Sequence, residues 1–125
     1  YALHTFLHGQ MKRGISFILE EICLEEAIQN ADLIITGEGK IDAQTAMGKV
    51  PAGVAQLAKK YQKPVIAFCG CVGKDAEACN ENGIDAFFSI QQGACSMEEA
   101  MDTNRAYLNL KSTSRQVMRL IEKIA

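Results

Sequence analysis

Short apolar runs alternating with amphipathic helical stretches constrain this chain more than any other feature. That alternation is the pattern of βαβ units around a parallel sheet covered on both faces. Asp32-Leu-Ile-Ile-Thr36, Pro64-Val-Ile-Ala-Phe-Cys69 and Asp85-Ala-Phe-Phe-Ser-Ile90 are rich in branched or aromatic side chains, and turn residues follow each. They predict strands at 32–36, 64–69 and 85–90. Between the first two, Val54, Ala55, Leu57, Ala58 and Tyr61 recur at helical spacing, and Lys59, Lys60 and Lys63 put positive charge where the helix dipole favours it. A crossover helix is expected there. A shorter helix is expected over about 75–82, ended by Gly83 in the left-handed position after a helix. The closing segment from about Asn104 has Leu110, Val117, Leu120, Ile121 and Ile124 on one side and Arg115, Arg119 and Glu122 on the other. It predicts an amphipathic helix packed on the sheet. Upstream, Ile15, Ile18, Leu19 and Ile22 share one helical face, which Leu24 to Asn30 continue after a bend. With right-handed crossovers these elements make an α/β domain of three layers, α/β/α, around a parallel sheet.

Composition narrows the function classes. In 125 residues, 48% are apolar, enough for one core without disulfides or a structural metal. Thirteen Lys and Arg stand against fifteen Asp and Glu, for a net charge of -2. That balance argues against nucleic-acid and membrane-surface partners, whose binding rests on clustered positive charge. The one local excess, Arg105, Lys111, Arg115, Arg119 and Lys123 against Glu122, reads as the solvated face of the closing helix. The five cysteines, Cys23, Cys69, Cys71, Cys79 and Cys95, form no C-x-x-C pair, so a reducing compartment fits. No apolar run reaches membrane-span length and the start lacks a secretory pattern, so a soluble, cytoplasmic chain is expected. It begins without Met, inside an apparent helix ending at Gly9, as if cut from something longer. The boundary falls near Gly9 to Gly14: residues 1–13 read as the tail of a preceding segment or neighbouring domain, and 14–125 as the domain proper. His4 and His8 have a metal-compatible spacing, but without a third ligand nearby they read as ordinary helix residues.

The chemistry concentrates in Thr36-Gly-Glu-Gly-Lys-Ile-Asp-Ala-Gln-Thr-Ala-Met-Gly-Lys-Val-Pro51, which starts at the carboxyl end of a predicted strand. Ligands bind at that edge of open α/β sheets. Gly37 and Gly39 read as a loop able to adopt conformations closed to other residues and to let a ligand approach its amides. Around them stand Glu38, Lys40, Asp42, Gln44, Thr45 and Lys49. Phosphoryl transfer uses such a mixture: carboxylates hold Mg²⁺ or accept a hydroxyl proton, and ammonium groups offset phosphate charge. The segment matches neither G-x-x-x-x-G-K-[ST] nor G-x-G-x-x-G. Spacing alone therefore leaves open a plain polar turn capped by Asp42 or Thr45.

Over its whole length, however, Thr36-Gly-Glu-Gly-Lys-Ile-Asp-Ala-Gln-Thr45 with Gly48-Lys-Val-Pro-Ala-Gly-Val-Ala55 resembles the signature of the bacterial glycerate kinase family. The likeness continues through Ala58-Lys-Lys-Tyr-Gln-Lys-Pro-Val-Ile-Ala67, Gly70 and Gly83-Ile-Asp-Ala-Phe-Phe-Ser-Ile90. The resemblance implies ATP- and Mg²⁺-dependent phosphorylation of D-glycerate to 2-phosphoglycerate. It also implies a Rossmann-like or flavodoxin-like domain, built from both chain ends, with the active site in a cleft between two domains. On that view this chain is the C-terminal part of such a kinase, a partial domain lacking the larger N-terminal portion, and residues 32–125 supply its later strands and helices. Two departures are visible. Lys40 stands where the family often has Arg, which keeps the charge and loses bidentate geometry. Cys69-Gly-Cys71 occupies an expected turn where small or apolar residues are usual.

Carried over residue by residue, the motif makes Asp42, Glu38 and Lys49 the candidate catalytic residues. Gly37, Gly39, Lys40, Gln44, Thr45 and Gly48 become candidates for substrate and phosphate binding, and Glu38 and Asp42 for Mg²⁺. Each has a plainer reading beside it. Asp42 suits an N-cap, Lys40 and Lys49 suit solvated surface, and Cys69 and Cys71 suit buried or half-buried thiols. Two other functions stay open: a non-catalytic module that binds a small anion or nucleotide, and an inert excised core. An excised half-domain would leave an apolar sheet edge bare and is expected to pair as a homodimer when isolated.

Overall fold

The computed structural model describes residues 23–125. The helix ending at Gly9, the Ile15–Ile22 face, the boundary at 9–14 and the His4/His8 pair lie outside the described residues. Within them the order is α1 (Leu24–Gln29), β1 (Ile34–Ile41), a 3₁₀ turn (Thr45–Met47), α2 (Val50–Lys60), β2 (Val65–Val72), a 3₁₀ segment (Ala76–Asn82), β3 (Ala86–Ser89), α3 (Met97–Ala100) and α4 (Thr103–Ile124).

The three strands form one parallel sheet in the order β1-β2-β3. Parallel pairing aligns their carboxyl ends, as the βαβ reading requires. On one face, Val65, Ala67 and Cys69 of β2 pack with Ile28 of α1, Ala55 and Ala58 of α2, and Cys79 and Ile84. On the other, Ile66, Phe68 and Ile90 pack with Ala106 and Val117 of α4. Alternate residues of β2 thus feed two cores, and the sheet lies between helical layers.

The amphipathic pattern of α2 follows its burial: Pro51, Ala52, Val54, Ala55 and Ala58 face inward, and Lys59 and Lys60 occupy the last turn. Lys60 and Tyr61 both donate to Oε1 of Glu25, which ties the end of α2 to α1. The Tyr61 hydroxyl and, after it, the Lys60 ammonium hold that carboxyl below its ordinary range. The turn into α1 is made by Cys23, a left-handed residue with φ 53°. Gly83 follows the 3₁₀ segment with φ 98°, and a Cβ there would stand 3.1 Å from the Ala55 carbonyl oxygen. Only glycine meets both conditions. The last helix starts at Asp102, whose carboxylate accepts the Arg105 amide at 2.9 Å.

Three expectations are corrected. The first strand runs to Ile41, so Gly37-Glu38-Gly39-Lys40 is strand and not loop, because Glu38, Lys40 and Ile41 continue the ladder opposite Cys69, Cys71 and Val72. For the same reason Cys69-Gly-Cys71 lies inside β2 and forms no turn. The expected helix over 75–82 winds as a 3₁₀ segment from Ala76 to Asn82.

Candidate active site at the carboxyl end of the first strand

The candidate residues fall into three local settings. The first is the end of β1. Glu38 is half-buried and its Oε1 accepts the N–H of Gly39 at 3.2 Å, while Lys40 is exposed. In the ladder Glu38 pairs with Cys69 and Lys40 with Cys71, while Ile41 beyond them is fully buried in the core under α2. Neither Gly37 nor Gly39 has a positive φ, so the left-handed freedom expected of them is not used. Their lack of a side chain matters differently. A Cβ on Gly39 would meet nothing within 4 Å, and one on Gly37 only the Phe68 carbonyl oxygen at 3.5 Å. The strand there presents bare backbone.

The second setting is the turn after β1. Asp42 Oδ1 accepts the amides of Gln44 at 2.9 Å and Thr45 at 3.2 Å. The Thr45 hydroxyl, fully buried, accepts the Asp42 amide at 3.1 Å and donates to the Lys40 carbonyl at 3.4 Å. One oxygen of Asp42 therefore caps the turn, and Oδ2 carries no hydrogen bond among the described residues. Gln44 is exposed. Gly48 ends the turn with φ 105°, a position that favours glycine.

The third is the start of α2. Lys49 is its N-cap, exposed, with no side-chain cap bond. A Lys in that place opposes the dipole and adds nothing to the cap, so folding does not call for it. Asp42, Gln44 and Thr45 are brought together by hydrogen bonds. Thr45 also reaches the Lys40 backbone, but among the described residues no hydrogen bond joins the side chain of Glu38, Lys40 or Lys49 to another candidate side chain.

Two glycines outside the motif shape the site. A Cβ on Gly73 would stand 2.6 Å from Cε of Lys40 and 2.9 Å from Cβ of Asp42, so those two side chains close over it. A Cβ on Gly70 would stand 2.7 Å from the Gly39 carbonyl oxygen. The sequence holds both glycines in plain view, but their roles depend on the β1–β2 register, which one strand's pattern does not specify. The thiols beside the site divide sharply. Cys69 is 2% exposed, and burial, with Cys71 next to it, pushes its thiol up to about 11. Cys79 is buried and donates to the Asp42 carbonyl at 3.7 Å; burial and then the Asp42 charge raise it. Cys71 is exposed, against the expectation of a half-buried thiol.

Glu38 also lines an open, mostly apolar groove of about 360 Å³ together with Ile35, Gly37, Phe68, Ile90 and Leu110 of α4. Among the described residues no three His, Cys, Asp or Glu side chains form a metal cage, and no helix is long and apolar enough to cross a membrane.

This geometry has close relatives. The chain is 44% identical over 117 residues to a glycerate kinase of Bacillus subtilis, covering 94% of this chain and 30% of that protein. Against the glycerate 2-kinase of Escherichia coli it is 43% identical over 116 residues, covering 93% and 30%. The crystal structure of a putative glycerate kinase 2 from Salmonella typhimurium LT2 superposes with a TM-score of 0.72 at 40% identity, over 98% of this chain and 30% of that one. The chain thus spans about 30% of the length of these relatives. The sequence model of the glycerate kinase family matches residues 1–122, so the chain belongs to that family.

Proposed function

We propose that this chain carries part of the active site of an ATP-dependent glycerate kinase that converts D-glycerate to 2-phosphoglycerate in the cytoplasm. Residues 14–125 form the C-terminal part of its Rossmann-like domain, and the remainder of such a kinase is their partner. The observation that carries this reading is the family's Thr36–Lys49 signature at the carboxyl edge of a parallel sheet, where phosphorylated ligands bind in α/β domains.

Asp42 accepts the proton of the glycerate hydroxyl as its oxygen attacks the γ-phosphorus. The new O–P bond forms while the bridge to the β-phosphate breaks, and ADP carries away the electron pair. Oδ2 is the oxygen for this task, since Oδ1 is engaged by the Gln44 and Thr45 amides. Lys40 and Lys49 offset phosphate charge, with Lys49 at the positive end of α2. The backbone at Gly37, Gly39 and Gly48, with Gln44 and Thr45, lines the approach of the phosphates. The donor set suits Mg²⁺: Glu38 and Asp42 are carboxylates, and this ion is held by one or two such groups with phosphate oxygens and water. When bound it neutralises charge on the transferring group.

Glycerate-dependent ADP release, lost in Asp42→Asn with the fold intact, tests the reading. ATP binding without ADP release favours a non-catalytic nucleotide- or anion-binding module, and neither favours an inert core. The span of only 30% of the relatives keeps both in view. Isolated, the chain pairs with a second copy through Ile35 of β1, 53% exposed, and the apolar flank of α4 at Tyr107 and Met118. Sedimentation at micromolar concentration separates dimer from monomer.

A further inference from the structure

The sheet ends unevenly. The last rung between β2 and β3 pairs Cys69 with Ser89, and the Ile90 amide donates to the Cys69 carbonyl at 2.9 Å. β2 continues through Gly70, Cys71 and Val72, paired there with β1 alone. This two-stranded tip carries Glu38 and Lys40.

On its open side, the side-chain amide of Gln91 takes over where β3 stops. Gln91 Nε2 donates to the Gly70 carbonyl at 2.9 Å. The Gln91 backbone amide donates to the Ser89 hydroxyl at 3.2 Å, and its Oε1 accepts the Cys95 thiol at 3.4 Å. The next residue, Gln92, donates to the Thr113 hydroxyl of α4 at 2.8 Å, which anchors the segment to the helix layer. The Gln91 amide is thus held from both ends, and a group so held positions what it touches.

What it touches leads to the site. Gly70 lies against Gly39, so closely that a Cβ on it would be 2.7 Å from the Gly39 carbonyl oxygen. Gly39 separates Glu38 from Lys40. The path of β2 at Gly70 therefore sets the path of β1 between these two side chains. We propose that Gln91 is a positioning residue for Glu38 and Lys40, acting through the Gly70 carbonyl as a substitute for the missing rung of β3. This rests on the kinase reading for its effect on turnover and on geometry alone for its effect on the tip.

Amide hydrogen exchange on this chain tests the strut without any assay of activity. The Gly73 amide donates to the Ile41 carbonyl at 2.7 Å and the Ala43 amide to the Lys74 carbonyl at 3.2 Å, so both report closure of the tip. The Asp85 amide, bonded to the Val65 carbonyl at 2.8 Å, reports the far end of the sheet. Gln91→Met keeps the length of the side chain and removes the donor. Protection at Gly73 and Ala43 is expected to fall about tenfold with Asp85 unchanged. Gln91→Lys restores a donor of similar reach and is expected to return most of the loss. In coupled ADP release with glycerate, Gln91→Met is expected to lower kcat about tenfold or more while KM stays near that of the parent. Unchanged protection, loss spread evenly to Asp85, absence of rescue by Lys, or unchanged kcat would each overturn the proposal. A parent protein that releases no ADP sinks the kinase reading separately, and the exchange pattern still decides the strut.

Discussion

Gly70 and Gly39 meet across the β1–β2 pair so closely that a methyl group on Gly70 would stand 2.7 Å from the Gly39 carbonyl oxygen. The atom in the way is backbone, so it yields only if the strands part. Gly70→Ala is expected to destabilise the fold by about 1–3 kcal/mol, as overpacking does elsewhere, read as a lower midpoint in urea. Gly39→Ala is the control, since its methyl enters open space. It should leave the midpoint within about 0.5 kcal/mol of the parent. Weakened ATP binding in that stable variant would show that the bare backbone at Gly39 serves a ligand. Equal midpoints for the two variants would mean the close approach is absent in solution.

The sheet was legible because its signals are local. Branched runs marked three strands, and helical spacing with a lysine-rich end marked α2. What stayed hidden depends on pairing. Gly37-Glu38-Gly39-Lys40 looks like a loop because glycines are poor strand formers, yet it extends β1 because β2 offers a partner as far as Val72. Tertiary pairing overrode propensity, and the same extension turned Cys69-Gly-Cys71 from a turn into a strand. In the site, the cap by Asp42 was legible from its place before Gln44 and Thr45. The contact of Gly73 with Lys40, and the bond from Gln91 to Gly70, join residues 33 and 21 positions apart in a way no local pattern encodes.

Asp42 caps the turn through Oδ1, and the chemical task proposed for it falls to Oδ2, so substitutions separate the two. Asn keeps Oδ1 as acceptor for the Gln44 and Thr45 amides and removes the charge. Asp42→Asn is therefore expected to melt close to the parent while glycerate-dependent ADP release falls by about a hundredfold or more, as loss of a general base does. Asp42→Ala should also destabilise by about 1 kcal/mol through loss of the cap. Full turnover in the Asn variant would reduce Asp42 to a turn former. Glu38→Gln belongs in the same series, with a strong fall in turnover and an unchanged melt expected.

Lys49 sits at the N-terminus of α2 without capping it, where its charge opposes the helix dipole. Lys49→Met is therefore expected to hold or slightly raise the melting temperature. ATP affinity should fall about tenfold, the order expected for one lost charge-assisted contact. Isothermal titration together with a thermal melt reads both quantities on one preparation. A marked loss of stability with affinity intact would return Lys49 to the fold and remove it from the site.

The thiol of Cys69 makes stability depend on alkaline pH. Its burial pushes it up to about 11, whereas an unfolded cysteine titrates near ~8.5. Between those values the folded protein keeps a proton that the unfolded chain has released, so raising the pH favours unfolding. The contribution is fully present below about 8.5 and is lost as pH rises toward about 11, with a slope of at most about 1.4 kcal/mol per pH unit. Cys79, raised in the same direction by its burial, adds to the decline. Urea midpoints measured upward from neutral pH should therefore fall above about pH 8.5, and Cys69→Ala should flatten part of that fall. Maleimide near neutral pH gives the companion reading. Cys71, exposed two residues along the same strand, should be labelled well before Cys69. Equal labelling of the two, or an alkaline slope untouched by Cys69→Ala, would mean that the end of β2 opens to solvent and that the tip holding Glu38 and Lys40 is not closed.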